Sequence, residues 1–132
     1  MKSKWLLAGL VFIALLAIAA CSSTPNQVSV DGSFSNKQVE IAVNGSLTVI
    51  LDSNATTGYS WELTDISDNS VLEKTANTYE APTSGLVGAS GKEVWDFKAL
   101  KQGKTTLSME YSQPWTGGQK DAQSFNLTIV VK

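Results

Sequence analysis

The sequence predicts an all-β domain built as an antiparallel sandwich, and three observations predict it. Short segments alternate apolar and polar side chains, which is the period of a half-buried strand. Glycine, asparagine and proline fall between these segments, where turns are needed. No segment of the domain repeats its apolar residues with the helical period. Six to eight such strands, each with one apolar face inward, make the two layers of a sandwich.

The chain begins with Lys2 and Lys4 ahead of an apolar run from Trp5 to Ala20. A positive n-region followed by a hydrophobic h-region is an export signal, and the run is short for a membrane span. Ile18-Ala19-Ala20-Cys21 resembles a bacterial lipobox, in which signal peptidase cuts before the cysteine and the thiol carries a diacylglycerol. Cys21 is the single cysteine of 132 residues and falls at that one position. An unpaired exported thiol would otherwise be a liability. The expected organisation is a lipoprotein signal peptide over 1–20, a lipidated cysteine and flexible linker over 21–35, and a β-sandwich domain over 36–132. The expected location is the cell envelope, with attachment to a membrane through the N-terminal lipid. Ser22, not aspartate, follows the cysteine, a pattern that resembles outer-membrane sorting in Gram-negative bacteria.

After the polar stretch Ser22–Gln27, the alternating segments follow in order. Val39, Ile41 and Val43 alternate with Gln38, Glu40 and Ala42. Asn44-Gly45 then predicts a hairpin into Leu47, Val49 and Leu51. Tyr59, Trp61 and Leu63 alternate with Ser60 and Glu62, and weaker strand character runs from Val71 to Tyr79. Trp95, Phe97 and Ala99 alternate with Asp96 and Lys98. Leu107, Met109 and Tyr111 follow the turn at Lys101–Lys104. Phe125, Leu127, Ile129 and Val131 close the domain. Each large apolar side chain buried contributes about 1.5–3 kcal/mol, so these faces can support a core without a disulfide. Trp61, Trp95 and Phe97 are read as core.

The composition narrows the chemistry. There is no histidine, so neither a Ser-His-Asp triad nor a Cys-His pair is available, and no cofactor or histidine metal site is expected. All ten basic residues are lysines. Without Lys2 and Lys4 the chain carries 8 basic and 12 acidic residues, a net charge of about −4. No basic cluster marks a nucleic-acid partner. A paired-carboxylate enzyme needs two acids facing one cleft at about 5–9 Å.

Three loops stand out. The first is Asn54-Ala55-Thr56-Thr57-Gly58, leading into Tyr59-Ser60-Trp61. The second is Gly85–Gly91, ending Gly88-Ala89-Ser90-Gly91 before Trp95-Asp96-Phe97. The third is Ser112–Gly118, with Gln113-Pro114-Trp115. None of the three contains Asp or Glu. Loops of a sandwich cluster at its two ends, and alternate connections share an end.

On these residues the chain resembles the chagasin-like inhibitors of papain-family cysteine peptidases. That family carries Asn-Pro-Thr-Thr-Gly-Tyr/Phe-x-Trp in its first loop, and Asn54–Trp61 matches with Ala55 in place of proline. The family's Gly-x-Gly-Gly aligns with Gly88-Ala89-Ser90-Gly91, where Ser90 replaces a glycine. Its Arg-Pro-Trp/Phe aligns with Gln113-Pro114-Trp115, which lacks the arginine. The resemblance implies an immunoglobulin-like sandwich over about residues 36–132. It also implies a reversible, non-covalent inhibitor, expected to be a monomer, that blocks a peptidase cleft with three loops.

The peptidase-binding residues so implied are Asn54, Ala55, Thr56, Thr57, Gly58 and Tyr59, then Gly88, Ala89, Ser90 and Gly91, then Gln113, Pro114 and Trp115. Their chemistry fits. Gly58 permits a tight turn, and glycines in the second loop allow close backbone approach. Trp115 is an amphipathic anchor of the type enriched in hot spots, on a loop stiffened by Pro114. Ser90 would cost freedom if its backbone needed positive φ. Tyr59 fits the core and the contact surface equally. The alternative to inhibition is a structural or adhesive envelope domain of the same fold, for which Ala55, Ser90 and Gln113 are the departures that count.

Overall fold

The computed structural model describes residues 23–86 and 88–132. The predicted signal peptide and Cys21 lie outside the described residues.

Among the described residues, eight strands form two four-stranded sheets. They are β1 (Gln27–Asp31), β2 (Lys37–Ile41), β3 (Ser46–Ser53), β4 (Ser60–Ile66), β5 (Leu72–Glu80), β6 (Gly91–Ala99), β7 (Gly103–Ser112) and β8 (Gln123–Val131). One sheet has the order β1-β3-β6-β5 and the other β2-β8-β7-β4. The inward face of each strand is the apolar set read from its alternation. Leu47, Val49 and Leu51 of β3 and Trp95, Phe97 and Ala99 of β6 meet Leu107, Met109, Phe125, Leu127 and Ile129 across the layer, all buried. Trp61 is buried as well, and its indole N–H donates to the Asp52 carbonyl at 2.9 Å. That bond offsets the desolvation of the buried indole N–H, whereas the buried Trp95 indole N–H has no partner among the described residues.

Three expectations are corrected. The sandwich is not purely antiparallel: β1 runs parallel to β3, and β2 runs parallel to β8. Both parallel pairs sit at sheet edges and come from consecutive strands joined by a short 3-10 turn, Gly32–Phe34. The N-terminal segment thus contributes one strand to each layer. For the same reason the expected linker is shorter than 21–35, because Gln27–Asp31 is already a paired strand with Val30 in the core.

Asn44-Gly45 does not close a hairpin. It turns the chain from one sheet to the other, since β2 pairs with β8 while β3 pairs with β1 and β6. The local signal is real: Asn44 has φ 69°, and the Gly45 N–H closes the turn on the Ala42 carbonyl at 2.9 Å. Around it, however, Ala42 N–H bonds to the Pro25 carbonyl and Asn44 N–H to the Ala99 carbonyl. Partners from distant strands, not from across the turn, take up the flanking groups.

Candidate functional site

The three loops leave the sandwich at one end. The first joins β3 to β4 and so bridges the two sheets. In the first sheet Ser53, the last residue of β3, sits opposite Gly91, the first of β6, beside the β5–β6 connection. In the second sheet Ser60 faces Ser112, and Tyr111 faces Gln123, beside the β7–β8 connection.

The first loop is a single 3-10 turn, Ala55–Thr57. Asn54 caps it, because its Oδ1 accepts the Thr56 N–H at 3.1 Å and the Thr56 hydroxyl at 2.6 Å. Asparagine favours this local back-bonding at turn starts. The Thr57 hydroxyl donates to the Asn54 carbonyl at 2.7 Å. Both threonine hydroxyls therefore spend their protons inside the loop, and Thr57 Oγ1 also accepts the Tyr59 N–H at 3.4 Å. Ala55 holds the first position of the turn, a place where proline is also well tolerated, and its carbonyl receives the Gly58 N–H at 3.2 Å. Gly58 ends the turn at φ 80°.

Gly58 is required twice over. A Cβ there would stand 2.4 Å from Cη2 of Trp115, so the indole of the third loop lies directly against this glycine. Trp115 is nonetheless half exposed, at 50%. It covers the first loop with one part of its ring and offers the rest to solvent.

The loops are fastened to each other by polar contacts. Asn54 Nδ2 donates to the Gly88 carbonyl of the second loop at 2.9 Å. The Asn54 N–H donates to the Tyr111 hydroxyl at 2.9 Å. Gln113 Nε2 reaches the Thr57 carbonyl at 3.4 Å, while its Oε1 receives the Gln119 N–H at 2.9 Å. The position that carries arginine in the resembling family is thus a brace between the first and third loops. The third loop closes on itself through Gln113 N–H to the Gln119 carbonyl and Gly118 N–H to the Trp115 carbonyl. The Lys120 ammonium also donates to the carbonyls of Gln113 and Trp115.

Tyr59 joins the core to the loop cluster. Its ring stacks on Tyr111 with centroids 5.2 Å apart, and its hydroxyl bonds to Gln119 Oε1. It is partly buried against the core and helps to hold the third loop. Ser90 carries no backbone penalty, because positive φ in the second loop falls on Gly85 and Gly88. Gly91 is fixed by crowding instead: a Cβ there would be 2.4 Å from the Glu80 carbonyl oxygen and 2.5 Å from the Tyr79 hydroxyl. Ala89 closes a turn within this loop, its N–H donating to the Leu86 carbonyl. Pro114 is exposed beside Trp115.

Sequence reasoning missed Tyr111, Gln119 and Lys120, which shape the loops from behind, and Leu86, which is 70% exposed on the second loop. Leu86 carried a signal, because Leu86-Val87 is an apolar pair set between Gly85 and Gly88. Nothing in the alternation distinguished Tyr111 from an ordinary core position. At the margin of this end Lys92 pairs with Asp52, whose hydrogen bond and charge hold the ammonium pKa above the ordinary lysine range.

The comparisons with known proteins agree with this geometry. The model of the Chagasin family peptidase inhibitor I42 matches residues 40–129. The chain is 28% identical over 123 residues to Amoebiasin-2 of Entamoeba histolytica, covering 92% of this chain and 97% of that protein. It is 32% identical over 92 residues to Chagasin of Trypanosoma cruzi, covering 67% of this chain and 84% of that protein. Among solved structures, the cysteine protease inhibitor EhICP2 of Entamoeba histolytica superposes with a TM-score of 0.70 at 25% identity, over 80% of this chain and 96% of that one. PbICP-C, solved in complex with falcipain-2, shares the fold at 20% identity with a TM-score of 0.61, over 84% of this chain and 93% of that one. The chain belongs to the chagasin family of peptidase inhibitors.

Proposed function

We propose that this protein is a reversible, non-covalent inhibitor of papain-like cysteine peptidases and that the three-loop end is its inhibitory surface. The observation that carries the reading is the mutual fastening of the loops. Asn54 holds Gly88, Gln113 holds Thr57, and Trp115 lies on Gly58. A surface built this way is ordered before it meets a partner, so little conformational entropy is lost on binding. Its chemistry suits occupancy, not reaction. The threonine hydroxyls are committed to Asn54, and among the described residues neither is hydrogen-bonded to a base that could activate it.

In this reading Asn54 to Tyr59 enter the peptidase cleft over the catalytic cysteine. Gly88 to Gly91 lie along one side, and Gln113, Pro114 and Trp115 reach the other. A standard interface of about 800 Å² per partner accommodates all three. Titration of the chain from residue 22 onward against papain and a cathepsin L-type enzyme tests it. Stoichiometric inhibition, recovered fully on dilution, is expected. Failure to inhibit any such peptidase would leave the structural or adhesive alternative.

We infer further that the domain is tethered to the cell envelope through a lipid on Cys21. Lys2, Lys4, the apolar run and the lipobox-like Ile18–Cys21 support this. Labelling with a radioactive fatty acid tests it, and Cys21→Ala should abolish incorporation.

A further inference from the structure

A recess opens beside the first loop, between the sheets at the β4–β5 edge. It has a volume of about 360 Å³ and its walls include Ser53, Ala55, Tyr59, Asn77 and Tyr79, with Glu93 among them. Glu93 points into the sandwich from β6, on the same face as Trp95 and Phe97, and is only 6% exposed. One carboxylate oxygen, Oε2, accepts the Trp61 N–H at 2.9 Å. Among the described residues that N–H is the one hydrogen-bond donor to Glu93. A largely buried carboxylate with one neutral donor gains from a cation brought against its other oxygen.

Among the described residues no lysine lines the recess. Two lysines of β5 and β6 are engaged elsewhere. Lys74 sits over the Trp95 ring, 5.4 Å from its centroid, and Lys92 pairs with Asp52. Tyr59 and Tyr79 are among the lining residues, and Tyr79 is 44% exposed. A buried carboxylate in a recess with aromatic residues is a receptor for a cation, above all a planar guanidinium.

We propose that the Glu93 recess receives the basic side chain, lysine or arginine, of the peptidase seated on the loops. The inference rests on the inhibitor reading, and it adds a specificity-determining contact that the three loops do not provide. The source of the cation follows from position. Ala55 and Tyr59 belong both to the recess wall and to the first loop, so a body docked on that loop covers the mouth of the recess.

The test uses two probes, N-acetylarginine methylamide and its neutral isostere N-acetylcitrulline methylamide. The arginine probe should shift the backbone NMR signals of Asn77 and Tyr79 saturably, and the citrulline probe should not. Glu93→Gln keeps an acceptor for the Trp61 N–H and should lose the response. Against papain and a cathepsin L-type enzyme, Glu93→Gln should weaken inhibition at least about tenfold for an enzyme with a basic side chain at that rim, as loss of a buried charge pair does. The arginine probe should raise the inhibition constant of the unaltered protein in the same assay, and not that of Glu93→Gln.

Tyr79→Ala removes one aromatic wall at an exposed edge position. It should weaken probe binding even if Glu93→Gln folds poorly. Equal responses to both probes, or none to either, would overturn the recess as a cation site. Probe binding with no effect on inhibition of any enzyme would overturn the peptidase as the source of the cation. Absence of inhibition by the unaltered protein would show before any probe is added and strikes the inhibitor reading instead.

Discussion

The side-chain amide of Asn54 spans two loops, with Oδ1 receiving the Thr56 N–H at 3.1 Å and Nδ2 donating to the Gly88 carbonyl at 2.9 Å. One residue thus sets the shape of the first loop and its distance from the second. Asn54→Asp separates the two roles, because it keeps the acceptor and loses the donor. The carboxylate would face a carbonyl oxygen. Inhibition should weaken by about tenfold, the scale of one lost hydrogen bond with an unsatisfied partner. Amide exchange at Gly88–Ser90 should quicken while the thermal midpoint moves little.

Gly58→Ala should be costly for two separable reasons. A left-handed residue with a Cβ costs about 1–2 kcal/mol. The new methyl also displaces the Trp115 ring, which stands 2.4 Å from the Cβ position. In a Trp115→Ala background only the first cost remains. A double-mutant cycle read by denaturant melts should therefore show clear non-additivity.

Trp115→Ala should weaken peptidase binding by about 2 kcal/mol, a typical hot-spot truncation. Half the side chain is exposed, so stability should change far less than binding. Inhibition constants and thermal melts on one sample distinguish the two effects. Unchanged inhibition would remove Trp115 from the contact surface.

Tyr111→Phe removes the hydroxyl that accepts the Asn54 N–H but keeps the ring stacked on Tyr59. Stability should fall by about 1 kcal/mol, as for one hydrogen bond. The first loop should loosen, seen as faster amide exchange at Asn54.

Acid should act through the turn aspartates. The Ser70 hydroxyl, then its N–H, holds the Asp68 carboxyl below the ordinary carboxylate range. Ser33 does the same for Asp31, again with its hydroxyl first. A lowered folded-state pKa stabilises above the unfolded value, and that contribution disappears as pH falls through the lowered one. Asp68→Asn should therefore flatten the fall in thermal midpoint below about pH 4, the ordinary range for aspartate. Melts between pH 6 and pH 2 check this.

Much of the fold was legible because alternation reports burial directly. Phe125, Leu127, Ile129 and Val131 could only be one inward face, and all four are buried. Pairing partners were not legible. Asn44-Gly45 reports a turn, but the sequence does not encode which strands that turn separates. Val28–Asp31 offers only a short alternating segment before Gly32-Ser33 interrupts it, and the parallel partner β3 is what makes it a strand with Val30 in the core. At the loops, glycine and tryptophan announced themselves by residue type. The brace formed by Gln113 was hidden, since a polar side chain does not reveal whether its amide faces water or a neighbouring carbonyl. Glu93 was hidden for a related reason, because a carboxylate at an inward position runs against the pattern that identifies the core.

The parallel course of β1 beside β3 fixes the polarity of the whole molecule. Because β3 runs toward the first loop, the chain enters β1 at the far pole, where Asn26 and Ser46 are hydrogen-bonded. β8 leaves the loop end and delivers Lys132 to that same far pole, next to Ile41. An attachment made beside Asn26 or at Lys132 would therefore sit at the pole opposite the three loops, like the foot of a bollard on a quay.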